Sequence, residues 1–224
     1  MPMRNLFFVL ALMLLMTACL DDDDIADVPA NIAYVSLYHA LPTVSDLDII
    51  VDGNRINTRA FSYGDWSGYL NFFTGNRSIS FRRSGEVDAV IDTMINLVPE
   101  KAYSLFAVPG DSGPEAIVVV DSASAPAEGK AMLRFAHFAA DTPDVTLSVG
   151  GDSSSPLFDD AVYKSVSSYY EVDAGLAELV VTGSDALVIN KEATLSAGQY
   201  YTVVLQGLRQ ADDNENELEL VVLP

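Results

Sequence analysis

The chain has 224 residues, half of them apolar and a fifth charged, with 32 acidic side chains against 12 basic ones. A net charge of −20 with scattered basic residues excludes nucleic acid as a partner, and excludes attachment to anionic lipid through a basic patch. The length suits two domains of about 100 residues each, and a single cysteine excludes a disulfide framework.

In chain order, the first element is an N-terminal segment, MPMRNLFFVLALMLLMTAC. Arg4 and the terminal amine precede an apolar stretch from Leu6 to Met16, which as a helix spans roughly half a bilayer core. That is the length of a signal-peptide core, shorter than a membrane-spanning helix. The segment ends with the small residues Thr17 and Ala18 directly before Cys19. Next comes LDDDDIADVPAN, whose four consecutive aspartates repel one another and favour an extended tether.

Beyond the tether the chain repeats itself. AYVSLYHALPTVSDLDIIVDG, starting at Ala33, lies over AMLRFAHFAADTPDVTLSVGG, starting at Ala131, without a gap. His39 matches His137 and Asp46 matches Asp144; further on, Tyr63 and Tyr69 match Tyr163 and Tyr169, and Tyr103 matches Tyr201. A period near 98 residues is that of a whole small domain rather than a solenoid unit. Each copy consists of short alternating runs: YVSLY, LDIIVD, RSISF, AVIDTMINL, YSLFAV and AIVVV in the first, then LRFAHF, VTLSV, AELVV, ALVIN, YYTVVLQ and LELVVL in the second. Gly, Pro, Asp and Asn break them about every ten residues, and no helical period is sustained. The pattern predicts an all-β chain of two immunoglobulin-like or transthyretin-like β-sandwich domains, with seven or eight strands each. Boundaries follow: signal peptide 1–18, acidic tether 19–31, copy one 32–121, a small polar linker 122–130, and copy two 131–224.

Two resemblances bear on these segments. LMTAC resembles the lipobox of bacterial lipoproteins, with Met16 where leucine is usual. It implies cleavage before Cys19, lipid attachment to its sulfur and a membrane-anchored envelope protein. Leu20 after the cysteine implies the outer membrane rather than the inner one, and the acidic run resembles surface-export signals. Both copies resemble the family known as domain of unknown function 4397. The residues that carry this are YHALP, LDIIVDG, GYLNFFTG and AYSLFAVPG in copy one, and AHFAADTPDVTLSVGG, SYYEVDAG and GQYYTVVLQG in copy two. The resemblance implies an extracytoplasmic β-sandwich with no established activity.

Candidate chemistry is sparse. His39 and His137 stand at matching strand ends in different domains, where each is expected to fix the following turn. Residues that recur in both copies, these and Tyr103 and Tyr201, most economically serve the shared fold. GDSGP at 110–114 resembles a protease nucleophile segment, but its composition is that of a hairpin loop and no base partners it. The acidic groups Asp46/Asp48/Asp52, Asp152/Asp159/Asp160 and DDNENE at 212–217 raise calcium as a cofactor, without the spacing of a known calcium loop. Arg77, Arg82 and Arg83 read as a solvated strand face. The aromatic stretch FSYGDWSGYLNFF contains the single tryptophan, Trp66, which has no counterpart in copy two. With Asp65 and Asn71 it is a candidate ligand contact. The expectation is a non-enzymatic envelope module that binds or supports a protein or polysaccharide partner, with no catalytic residues and no metal. The alternatives are a carbohydrate-binding lipoprotein that uses the copy-one aromatics and, further off, a hydrolase.

Overall fold

The computed structural model describes residues 31–150, 156–210 and 216–224. The signal segment, Cys19 and the tether lie outside them. Ile32–Pro224 forms one compact unit.

Among the described residues every element is a strand. The first half contains β1 (Ile32–His39), β2 (Leu47–Val51), β3 (Asn54–Arg55), β4 (Trp66–Phe73), β5 (Gly75–Arg83), β6 (Ala89–Leu97), β7 (Ala102–Val108) and β8 (Glu115–Asp121). The second half contains β9 (Lys130–His137), β10 (Val145–Val149), β11 (Pro156–Ala161), β12 (Tyr170–Asp173), β13 (Gly175–Gly183), β14 (Val188–Leu195), β15 (Tyr200–Gln206) and β16 (Glu219–Leu223).

Each half is a sandwich of two four-stranded sheets. In the first, β4-β1-β7-β8 packs on β3-β2-β5-β6; in the second, β12-β9-β15-β16 packs on β11-β10-β13-β14. One order is the other displaced along the chain, and in both the central pair is parallel, β1 with β7 and β9 with β15. The cores follow from strand alternation. Val35, Leu37, Ile49, Phe81 and Leu105 fill the first, while Leu133, Phe135, Leu147, Val181 and Val203 fill the second.

The sheets β4-β1-β7-β8 and β12-β9-β15-β16 bury their other faces as well. Tyr38, Ala40, Phe106 and Val108 from the first half meet Ala136, Phe138, Val204 and Leu223 from the second in a third apolar cluster. Phe106 and Phe138 lie 4.9 Å apart, centroid to centroid. This unit is therefore four sheets deep, and its four central strands are buried on both faces except near the starts of β1 and β15, where Tyr34 and Tyr200 are exposed. Strands with two buried faces read as near-continuous apolar runs, as LFAV and TVVL do here.

Four strands fall outside the runs identified from sequence: β3, β4, β11 and β12. All four are edge strands, and three of them, β3, β11 and β12, have two, six and four residues. β4 is the fourth, and it holds the aromatic stretch. A bulge opposite Ser36 and Tyr38 interrupts its alternation, with Gly68 at a φ of +68°. The irregularity brings Trp66 and Tyr69 to one face although they are three residues apart.

Candidate functional site

Both histidines are fully buried at the ends of β1 and β9, and each closes its own turn. The Leu41 N–H donates to Nδ1 of His39 (3.2 Å), so Nε2 carries the proton and donates to the Ser45 carbonyl at 2.9 Å. His137 does the same with the Ala139 N–H (3.4 Å) and the Pro143 carbonyl (3.2 Å). Burial pushes both pKa values below the ordinary 6.5, against a smaller opposing contribution from the carbonyl acceptors. Tyr63 and Tyr163 stand edge-on to the two rings at 6.2 and 6.0 Å. Tyr103 and Tyr201 also share one role. Their hydroxyl oxygens accept from the backbone N–H of Val98 (3.0 Å) and Ser196 (2.9 Å), which ties each preceding turn to the sheet.

The described carboxylates of the acidic clusters do not converge. Asp46 accepts from the Ser62 hydroxyl, Asp48 from Ser84 and Arg55, and Asp52 from Arg77 and the Ser78 N–H. The bond from Arg77 holds the Asp52 carboxyl below its ordinary 3.8. Asp159 accepts from Thr146 and, with Asp160, lines a cleft of about 430 Å³ beside Phe158 and Tyr170. Among the described residues no three His, Cys, Asp or Glu side chains gather as a metal would require; Asp152 and 212–215 lie outside them. Asp46, Asp48 and Asp52 are each engaged by their own cation or hydroxyl.

GDSGP forms the turn from β7 to β8 and docks on the second half. Lys164 reaches Glu115 at 2.7 Å and Asp111 at 3.4 Å, and the Tyr163 hydroxyl donates to the Pro109 carbonyl at 2.6 Å. Burial pushes Tyr163 up to about 12. Arg77 is no solvated side chain either. It pairs with Asp52, and its Nε and Nη2 donate to the carbonyls of Phe73 and Thr74, both at 2.8 Å. Arg82 has its Nε buried without a partner.

The candidate ligand contacts lie along β4 but do not form one pocket. Trp66 is half-buried against the cluster between the halves. Asp65 is engaged by the turn that precedes the strand: its carboxylate accepts from the Ser62 N–H and its carbonyl from the His39 N–H. Asn71 is exposed further along, with Tyr69 between it and Trp66. It lines a cleft of about 350 Å³ with Asp52, Ile56, Phe73 and Arg77.

Sequence reading missed a buried polar network at the junction. Arg134 is 3% exposed and pairs with Asp121, itself 7% exposed, from the other half. Its Nε donates to Thr202 (2.9 Å) and its Nη2 to Ser104 (2.7 Å), while Tyr169 covers the guanidinium at 4.7 Å. The other Asp121 oxygen accepts from the hydroxyls of Tyr69 (2.7 Å) and Ser104 (2.8 Å). Across the junction the Tyr38 hydroxyl donates to Gln206 at 2.7 Å, and burial raises its pKa well above 10. The available signal was Arg134 inside the apolar run MLRFAHF, where a lone cation must find a buried partner.

The family model described as domain of unknown function (DUF4397) matches residues 33–148, from β1 through most of β10. No curated protein matches the chain. Among solved structures it is similar to a family-26 carbohydrate-binding module from Eubacterium rectale in complex with maltoheptaose, at 8% identity over 86% of this chain and 96% of that one, with a TM-score of 0.26. It is also similar to a structure titled for alpha-glucan binding by a streptococcal virulence factor, at 15% identity over 84% and 96% of the two chains, with a TM-score of 0.26. Likeness at this level carries no functional weight.

Proposed function

This chain belongs to the family described as domain of unknown function (DUF4397), and from that premise we propose a non-catalytic binding module held in the bacterial envelope by a lipid on Cys19. The observation that carries the non-catalytic part is the state of its two histidines. Each is buried and neutral, with both ring nitrogens bonded within its own turn, so neither can accept a substrate proton. The serine of GDSGP sits on a turn whose neighbours dock the second half, with no histidine free to serve it as a base among the described residues.

The second half is, in this reading, a further copy of the family domain. The shared strand order, the repeated His turn and the repeated Tyr bond support that assignment. The anchor rests on LMTAC alone, and the outer membrane on Leu20. An envelope protein or a polysaccharide is the partner class that remains for an acidic chain outside the cytoplasm.

Two measurements test the reading. Mass spectrometry of the mature protein is expected to find the chain starting at a diacylglyceryl-modified Cys19; an unmodified sulfur overturns the anchor. A broad panel of ester, peptide and glycoside substrates is expected to give no turnover. Hydrolysis that is lost in Ser112→Ala overturns the non-catalytic assignment.

A further inference from the structure

We infer that the uncovered end of the β4-β1-β7-β8 sheet is a binding face for a neutral polysaccharide, with Tyr34, Tyr69 and Phe73 as its rings and Asn71 as its central polar group. The inference rests on the binding-module reading and names its site and ligand class. Leu70 and Phe72 turn into the first core, so Tyr69, Asn71 and Phe73 share the opposite face. Val35 and Leu37 turn the same way as Leu70, which leaves Tyr34 beside the three. Tyr34 lies directly across from Asn71, Ser36 from Tyr69 and Ile32 from Phe73. Tyr34 is thus the diagonal neighbour of both other rings, each about 7–8 Å away between Cα atoms. Tyr69 and Phe73 stand about 13 Å apart along the strand.

These rings are open to solvent: Tyr34 is 43%, Tyr69 44% and Phe73 70% exposed. The Tyr69 ring and the backbone that carries Phe73 are also held in place. The Tyr69 hydroxyl is fixed by Asp121, which the buried Arg134 holds in turn, and Arg77 clamps the carbonyls of Phe73 and Thr74. Exposed aromatics that are fixed from behind lose little entropy on binding, and their flat apolar faces suit the faces of sugar rings.

The second half shows what this face looks like without such a role. There Lys130 stands for Ile32, Met132 for Tyr34, Glu171 for Asn71 and Asp173 for Phe73. Met132 is buried, Lys130 pairs with Asp173 at 2.7 Å, and the linker covers the rest, its Ala127 N–H donating to Glu171 at 2.6 Å. Tyr69 has a counterpart in Tyr169, but Tyr34 and Phe73 are departures made in one half only.

Charge decides the ligand class. The four residues are uncharged in a chain of net charge −20, which repels polyanions. The nearby carboxylates Asp121 and Asp52 are already paired with Arg134 and Arg77, so nothing there attracts a cation. What the face offers is stacking, an amide that both donates and accepts, and phenolic hydroxyls. A neutral polyhydroxylated polymer matches all three.

The full chain in a neutral detergent, run through native gels containing amylopectin, barley β-glucan, galactomannan, alginate or chitosan, tests this. At least one neutral polymer is expected to retard it. Phe73→Ala and Tyr34→Ala are expected to weaken that retardation about tenfold or more at unchanged thermal midpoint, and Leu176→Ala, an exposed residue of the second half, to leave it unchanged. Retardation by no neutral polymer, retardation by alginate or chitosan alone, or equal retardation of Phe73→Ala each overturns the inference. Where an envelope pull-down still recovers a protein partner, the binding-module reading survives that failure. If recovery of that protein is what needs Phe73, the face docks protein and the polysaccharide assignment falls. Cleavage of the acidic tether by protease in Phe73→Ala alone makes the chain's own tether the occupant, with the same consequence.

Discussion

A histidine whose Nδ1 accepts a backbone N–H in a buried turn cannot take a second proton without breaking that bond. His39 and His137 are both in that position, and burial holds both below 6.5. The unfolded chain therefore binds more protons than the folded one as pH falls below about 6.5, so stability rises with pH through that window. It is fully present above the unfolded value and lost as pH drops toward the folded one. Chemical denaturation between pH 7.5 and 5.5 is expected to show a falling midpoint. His39→Gln is expected to be less stable at pH 7.5 by about 2–4 kcal/mol, with a flatter pH slope. A slope unchanged in that variant would remove His39 from the titration. Asp52 acts in a separate window: its depressed pKa gives a contribution that is lost only as pH falls below 3.8. Histidine pairing at equal offsets was visible in the sequence as a structural repeat. The tautomer was not, because it depends on a carbonyl six residues away that only the folded turn brings near.

Among elements, every strand in the middle of a sheet was legible, as were the edge strands β6, β8, β14 and β16, whereas the edge strands β3, β4, β11 and β12 were not. β2, β5, β7, β10, β13 and β15 are apolar runs bounded by turn residues, whereas β3, β11 and β12 are short and polar. β4 was obscured by its bulge, since two residues opposite one break the period of two on which strand reading depends. Trp66 reports on that bulge as the chain's one tryptophan, packed against the junction. Gly68→Val places a β-branched residue at a φ of +68° and is expected to cost about 1–3 kcal/mol. Trp66 emission in that variant should shift to longer wavelength as the ring loses its packing. Unchanged emission would mean that the bulge does not set the Trp66 orientation.

At the level of the whole molecule, two sandwiches joined by a short polar linker suggest beads on a string. The packing of β4-β1-β7-β8 on β12-β9-β15-β16 makes them one body instead, with each fully buried Phe or Val side chain at the junction contributing about 1.5–3 kcal/mol. The two halves are accordingly expected to unfold in a single calorimetric transition. Arg134→Ala strands a buried carboxylate and is expected to cost about 3–5 kcal/mol, whereas Arg134→Met with Asp121→Leu recovers most of the loss. Two resolved transitions in the unaltered protein would refute the coupling.

The order of residues by itself determined an all-β chain, a duplicated sandwich and the position of both histidines, because these rest on local periodicity and on self-similarity that needs no coordinates. Only the tertiary structure decided that the inner sheets face one another, that Asp121 and Arg134 meet across the junction, and that Tyr34, Tyr69 and Phe73 are left uncovered. Each of these depends on which face of a strand another layer hides, and strand alternation fixes two faces without saying what lies against either.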